Sequence, residues 1–235
     1  MPYKKVDFQH RTAPHQLPEW MDGDCTEEEL RGCLRSLERV NRWLFGYRPT
    51  LSWLNRSPRL LRPLHIADIG SGGGDLLRQI ARWARRRSIS VRLTGIDLNS
   101  RATRFAAAAT PEDLGITWVT NDILQYQPAT PIDIAVSSLL AHHLEDGAII
   151  ALLQWMEANV TLGWFINDLE RSARSSRLFG ALPWHPFVRH DGPVSFRRAF
   201  RIEDWEHLLS LASIPRPQVT VDRWRPGRLC IGRWK

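Results

Sequence analysis

The chain has few of the residues that would mark it as secreted, thiolate-metal or membrane-spanning. Its cysteines are Cys25, Cys33 and Cys230. They are odd in number and form no C-x-x-C pair. That excludes a disulfide framework and fits free thiols in a reducing, cytoplasmic setting. No run approaches the roughly eighteen apolar residues of a membrane-crossing helix, so no transmembrane segment is expected. The opening stretch, "MPYKKVDFQHRTAP", has no apolar region behind its lysines and does not read as a signal peptide. Lysine is nearly missing. Lys4, Lys5 and Lys235 are the whole set, and arginine supplies the rest of a net charge of +7. A basic chain can serve nucleic acid, an anionic membrane or an acidic ligand. Here the arginines are dispersed. The densest run, Arg85-Arg86-Arg87, sits where a helix should end, and cations are favourable there in any case. A solvated basic surface is therefore expected, with no nucleic-acid partner. His10, His15, His142, His143, His185, His190 and His207 show no compact spacing with cysteines or carboxylates, so no metal site is expected.

At 235 residues and 43% hydrophobic content, the chain can bury one substantial core. Residues 1–24 read as an extended arm. Thr26 and Glu29 then form a capping box, and Leu30, Cys33, Leu34, Leu37 and Leu44 recur at helical spacing. Gly46 can supply the left-handed cap of that helix. "RPTLSWLNRSPRLLRP" reads as a short second helix and a turn, stopped by Pro63. Residues 1–63 are thus expected to be an arm and helical cap on a main domain of residues 64–235.

From Leu64 the texture becomes an alternation of strands and helices. Strands are expected at 64–69, 91–97, 116–122, 132–139 and 162–169. Helices are expected from Asp75 to about Arg86, Ser100 to Ala109 and Glu145 to Asn159. Such alternation implies a parallel sheet covered on both faces. A loop-rich arginine region (171–200) follows, then a helix in "RIEDWEHLLSLAS". Two closing strands, "PQVTVDRW" and "RLCIGRW", are joined by a Pro226-Gly227 turn. The expected fold is α/β, Rossmann-like and doubly wound: a mostly parallel seven-stranded sheet with an N-terminal helical extension and a C-terminal antiparallel hairpin.

The loop after the first strand carries Gly70, Gly72, Gly73 and Gly74. Glycine permits positive φ and lets a ligand approach where a Cβ would stand, at a cost in chain entropy. Ligands of doubly wound sheets sit beyond the strands' carboxyl ends, which is where this loop lies. The dinucleotide pattern G-x-G-x-x-G would need glycine at position 75, which holds Asp75. The run instead reads Asp68-x-Gly70-x-Gly72-x-Gly74. In this it resembles the class I S-adenosylmethionine-dependent methyltransferases, whose first motif is an acidic residue followed by G-x-G-x-G. S-adenosylmethionine (SAM) carries a sulfonium and an ammonium, and both favour a nearby carboxylate.

The resemblance implies a SAM pocket built from Asp68, Gly70, Ser71, Gly72, Gly74, Asp97, Leu98, Asp122, Ile123, Ser138 and Leu139. Asp97 would take the ribose hydroxyls, unless it merely caps the next helix. Asp122 would meet the adenine amino group and Ile123 the ring, unless Asn121-Asp122 is a simple turn. Ser138 and Leu139 would border the pocket from the fourth strand. "HHLED", followed later by a strand ending in Asp168, resembles small-molecule O-methyltransferases. By that resemblance His142 with Asp168 would remove the acceptor's proton, with His143 in reserve. The alternatives are a structural and an exposed histidine, and a helix-capping Asp168.

The stretch "LPWHPFVRHDGPVSFRRAF" reads as an aromatic, basic lid carrying Trp184, His185, Phe187, Arg189, His190, Phe196 and Arg197, or as a plain surface loop. Asn41, Arg42, Trp43 and Phe45 could close the pocket from the other side. Together with the paired histidines, these segments resemble bacterial methyltransferases found with plant-type polyketide synthases. That implies O-methylation of a phenolic, quinone-like or polyketide-derived small molecule in natural-product biosynthesis. C-methylation of a similar acceptor and methylation of RNA or protein are the alternatives. The Asn/Asp-Pro-Pro-aromatic motif that usually goes with base methylation is missing from "SSLLAHH". A homodimer is left open.

Overall fold

The computed structural model describes residues 8–57, 62–182 and 184–235. Helix α1 (Glu27–Trp43) begins as the sequence predicts. Thr26 accepts the Glu29 N–H, and the Glu29 side chain returns to the Thr26 N–H at 2.8 Å. It ends differently. Phe45 takes the left-handed conformation (φ 55), and the Gly46 N–H reaches back to the Asn41 carbonyl at 2.7 Å. Gly46 is therefore not the left-handed cap. A Cβ there would stand 2.8 Å from both the Arg228 guanidinium and the Asn41 side chain, so the position is kept small by close approach. Helix α2 (Arg48–Leu54) follows. The turn expected up to Pro63 falls partly outside the described residues.

The main unit runs β1 (Leu64–Ile69), α3 (Asp75–Arg86), β2 (Val91–Asp97), α4 (Ser100–Ala108), β3 (Ile116–Thr120), β4 (Ile132–Ser138), α5 (Asp146–Asn159) and β5 (Val160–Leu169). Then come α6 (Ala173–Gly180), α7 (Pro186–Arg198), α8 (Ile202–Leu211), β6 (Val219–Trp224) and β7 (Arg228–Trp234). The seven strands form one sheet in the order β3-β2-β1-β4-β5-β7-β6. Strands β1 to β5 pair in parallel, and β7 lies antiparallel between β5 and β6. Strand order reverses between β1 and β4, the crevice where such sheets receive ligands.

Side chains of β1 alternate between two cores. Leu64 and Ile66 pack with Leu77 and Ile80 of α3, while Ala67 and Ile69 pack with Leu152 and Met156 of α5 and Trp205 of α8. Both faces are thus covered, which is why β1 and β4 read as near-continuous apolar runs. Among the described residues no helix is long and apolar enough to cross a membrane.

The region 171–200 corrects the sequence reading. It is not a loop but the helix pair α6–α7. "HDGPV" carries strong turn signals, and Pro193 lies inside α7. Packing overrides them. A Cβ at Gly192 would run into the Phe179 ring of α6, and Val188, Val194 and Phe196 are buried.

At the sheet edge opposite the ligand crevice, buried Asp133 holds the start of β1. Its oxygens accept the His65 N–H (2.9 Å), two Arg62 bonds (2.6 and 2.7 Å) and the Thr161 hydroxyl (3.1 Å). Burial would raise this carboxyl, but the Arg62, His65 and Thr161 bonds outweigh it and hold the group below its ordinary range. A depressed folded-state value stabilises above the unfolded value and is lost as pH falls through the folded one. Asp133→Ala is expected to cost about 1–2 kcal/mol at neutral pH, mostly from the orphaned His65 N–H, since the Arg62 side is solvent-screened. Thermal melts should show that gap shrinking as pH falls below the ordinary carboxylate range. A gap independent of pH would refute the assignment.

Candidate active site

The glycine loop leaves β1 and enters α3. Gly70, Gly72 and Gly74 all have positive φ (70°, 50° and 74°). At Gly74 the restriction is double, because a Cβ there would collide with the Trp118 ring. The loop is braced on two sides. Asp97 at the end of β2 accepts the Gly72 N–H at 2.8 Å, and buried Arg78 donates to the Gly73 carbonyl at 2.7 Å. Arg78 is itself held by Glu38 of α1 at 2.8 Å.

The site's carboxylates suit a cationic ligand. Asp75 occupies the first turn of α3, where a pyrophosphate would otherwise be drawn. It accepts the Tyr47 hydroxyl (2.7 Å) and the Asn41 amide (3.1 Å). Its charge there disfavours a dinucleotide and favours an ammonium. Asp68 is 2% exposed, and among the described residues its Oδ1 has no hydrogen-bond partner; the buried Ser71 Oγ has none there either. Burial, with Asp75 and Asp97 nearby, pushes the Asp68 carboxyl well above the ordinary range. A bound cation would oppose that shift and satisfy the orphaned oxygen.

Asp97 is not the cap of α4. Asn99 caps it through the Arg101 N–H, leaving Asp97 to hold the loop and the Asn99 N–H. Burial raises the Asp97 carboxyl against those two backbone bonds.

One cavity extends from this loop. Gly70, Ser71, Gly72, Asp97, Ser138 and Leu139 line it, with Gly73, Asp75 and Arg228. Leu139 stands at φ 60, a strained conformation for leucine, just past the end of β4. Not every expected residue reaches the cavity. Asp68 and Gly74 do not line it. Leu98 is exposed. Asp122 accepts the Leu124 N–H at 3.0 Å in a turn, the plain alternative weighed for it, and Ile123 packs toward the α5 core. All three follow β2 or β3 at the same sheet edge but do not line the cavity.

The far end of the cavity is built around His142 and His143. His142 is buried, and its Nδ1 lies 2.6 Å from Asp168 Oδ1 at the end of β5. Asp168 also accepts the Leu169 N–H at 2.6 Å and caps no helix; Ser172 caps α6 instead. Burial would raise the Asp168 carboxyl, but His142 and the Leu169 bond bring it below the ordinary range. His143 is not free. Its Nδ1 sits 3.1 Å from Asp22. Burial opposes a charged His143 ring, but Glu19 and Asp22 outweigh it and raise its pKa.

Glu19, Asp22 and Arg198 are functional candidates that the sequence reading missed. The arm residues 8–24 are pinned rather than loosely extended. The Trp20 and Met21 N–H groups bond Asp191 of α7 at 2.8 and 3.1 Å, and Trp20 stacks on His190 at 3.8 Å. This delivers buried Glu19 to the histidines. Its Oε1 accepts the Ser195 hydroxyl at 2.7 Å and pairs with Arg198 at 3.2 Å. The acidic "PEWMDGD" was a visible signal, but about 120 residues separate it from "HHLED", and no spacing rule spans that distance. The sequence expectation of no metal-type cluster also needs correction, because Glu19, His142 and His143 place three ligand-type atoms within 4.8 Å of one another.

Between loop and histidines the walls are apolar: Leu34, Leu37, Val40, Phe179, Val188 and Phe196. Of the expected lid residues, Phe196 lines the cavity. Trp184 and Phe187 pack against α1, and Arg189 is exposed. On the α1 side, Asn41 lines the cavity, while Trp43 and Phe45 are exposed. Cys33 lies in this wall, and burial pushes its thiol up to about 12, which excludes it as a nucleophile near neutral pH.

A family profile described as a methyltransferase domain matches residues 66–161. No curated protein matches the chain. Among solved structures, the plantazolicin methyltransferase BpumL in complex with S-adenosylhomocysteine (SAH) superposes with a TM-score of 0.64 at 15% identity, over 89% of this chain and 95% of its own. The plantazolicin methyltransferase BamL, also with SAH, gives 0.57 at 16%, over 88% and 84%. Magnesium protoporphyrin IX methyltransferase from Synechocystis PCC 6803 with SAH gives 0.54 at 13%, over 92% and 90%. At these identities the likeness speaks to the fold. Residues 66–161 thus match a methyltransferase domain, and the fold that carries them is one shared with SAH-bound methyltransferases.

Proposed function

We propose that the chain transfers the methyl group of SAM to a hydroxyl of a phenolic, quinone-like or polyketide-derived small molecule. The observation that carries this reading is the continuity of one cavity. It runs from a glycine cradle with cation-seeking carboxylates, past apolar walls, to a histidine pair oriented by carboxylates. The donor's amino-acid end would face Asp75, with Asp68 buried behind the cavity wall, and its ribose Asp97. Its sulfur would then point along the cavity.

Methyl transfer needs the nucleophile, the methyl carbon and the sulfur in line. The O–CH3 bond forms as the S–CH3 bond breaks, and the hydroxyl's proton must leave. The histidine pair stands where that proton would be lost. An ionised Asp168 only accepts, so it fixes the His142 proton on Nδ1 and turns the Nε2 lone pair away from itself, toward Glu19. Phe179 and Phe196 suit a flat aromatic acceptor. The structural neighbours named for their acceptors serve plantazolicin and magnesium protoporphyrin IX. They support small-molecule chemistry without naming this acceptor.

The test has two steps. SAM should raise the melting temperature of the purified chain, and a panel of phenols and hydroxyquinones should then show transfer to oxygen by product mass and NMR. Absence of a SAM shift would sink the methyltransferase reading. A SAM shift with transfer to carbon, or to RNA alone, would sink the hydroxyl reading and leave the donor site standing.

A further inference from the structure

We infer that Glu19, His142 and His143 form a binding site for one divalent transition-metal ion at the acceptor end of the cavity. Ring orientation comes first. His142 Nδ1 faces Asp168 at 2.6 Å, and His143 Nδ1 faces Asp22 at 3.1 Å. Ionised carboxylates accept hydrogen bonds and cannot donate, so both neutral rings carry their proton on Nδ1 and a lone pair on Nε2. A carboxylate behind each ring is also the usual outer support of metal-binding histidines.

Both lone pairs face one anion. His142 Nε2 lies 3.8 Å from Glu19 Oε1, and His143 Nε2 lies 3.7 Å from Oε2. These separations are too long for hydrogen bonds. They approach the edge of a tetrahedral site, about 3.4 Å for metal–ligand bonds near 2.1 Å. With both rings neutral, two nitrogen lone pairs aim at one buried carboxylate, and a proton or a metal ion between them relieves the repulsion.

The other partners of Glu19 leave room for that cation. Ser195 and Arg198 both engage Oε1, and no hydrogen bond of the described residues engages Oε2. Arg198 divides its charge between Glu19 and Asp22, at 3.2 and 3.3 Å, and also donates to the His142 carbonyl at 3.0 Å. Glu19 thus reaches the histidines with one oxygen oriented by neighbours and the other unclaimed.

Two imidazoles and one carboxylate are a donor set for zinc, iron(II), cobalt(II) or manganese(II), rather than for calcium or magnesium. All three ligands border the cavity, so a further coordination position faces the acceptor. There the ion would bind the acceptor's oxygen and lower its pKa. The hydroxyl's proton would pass to solvent, and the bound oxyanion would take the methyl from the sulfonium. That role rests on the hydroxyl-methylation reading, whereas the site itself does not.

The experiment uses the tag-free full chain, stripped with a chelator, dialysed and titrated with cobalt(II) alone. One equivalent should bind and give visible d–d absorption of a low-coordinate site, which zinc(II) then displaces. Glu19→Gln and His143→Gln should each weaken cobalt binding by at least about tenfold, and Asp22→Asn by roughly 10–100-fold through the His143 ring. SAM binding, measured alongside, reports folding. No stoichiometric cobalt binding by the wild type would overturn the inference whatever the variants do. Wild-type cobalt affinity in Glu19→Gln and His143→Gln would overturn it equally. Full turnover in chelator-stripped enzyme would overturn the ion's part in the reaction and return His142 to service as a base. Intact SAM binding alongside lost cobalt binding separates failure of this site from failure of the methyltransferase reading.

Discussion

Replacing His142 with alanine is expected to lower methyl transfer by about two to four orders of magnitude, the usual range for losing a group that governs proton transfer. SAM affinity should stay within about twofold, because His142 stands at the acceptor end of the cavity and away from the glycine loop. Initial rates with a responsive phenol, paired with SAM calorimetry, read the two quantities separately. The expectation holds whether Nε2 takes a proton or binds an ion. Turnover close to wild type would remove His142 from the chemistry. Asp168→Asn should follow in the same direction with a smaller loss, since the amide can still face the ring but can present the wrong atom to Nδ1.

Asp97→Ala is expected to weaken SAM binding about 100-fold, close to 2.7 kcal/mol. Two losses combine. The carboxylate no longer accepts the donor's ribose hydroxyls, and the Gly72 N–H that it holds at 2.8 Å is released. Each charge-assisted bond of this kind contributes about 1.5–3 kcal/mol. The second loss loosens the loop itself, so SAH should be affected as strongly as SAM. A variant that binds both with wild-type affinity would show that the donor does not lie along β2.

These two residues also show how unevenly the sequence exposes the site. Asp97 was legible because a parallel strand delivers its last residue to the sheet's ligand edge, and the strand was readable from "VRLTGID". The glycine loop was legible for a similar reason. Few structures other than a close ligand approach justify so many glycines in one turn, and Asp75 at the place of the last glycine turned the reading from a dinucleotide to SAM. The pairing of His142 with Asp168 came from the resemblance, and the two strand ends bring the residues together. What stayed hidden depends on long-range packing. Glu19 and Asp22 reach the histidines because Asp191 and His190 of α7 pin the arm. The α7 helix was unreadable because "HDGPV" signals a turn that packing against Phe179 overrules. Asp122 and Leu98 stand at the same sheet edge without lining the cavity. The family pattern fits the sequence there, yet one side chain closes a local turn and the other faces solvent.

The basic charge likewise resolves into structure in part. Arg78 supports the glycine loop, Arg198 binds Glu19 and Asp22, and buried Arg228 bonds the Asn41 side chain at 2.8 Å. These arginines are spent inside the fold, as counter-ions to its buried carboxylates and donors to its carbonyls, so net charge alone is a poor guide to a partner.

The central claim is that the donor lies in the glycine cradle with its sulfur aimed at the histidine pair. A crystal structure of the full chain with SAH tests it most directly. The expected result is a ribose on Asp97, an amino-acid end near Asp68 and Asp75, and a sulfur facing His142, His143 and Glu19 across the apolar walls. A sulfur turned away from the histidines, or SAH bound outside this cavity, would contradict the account.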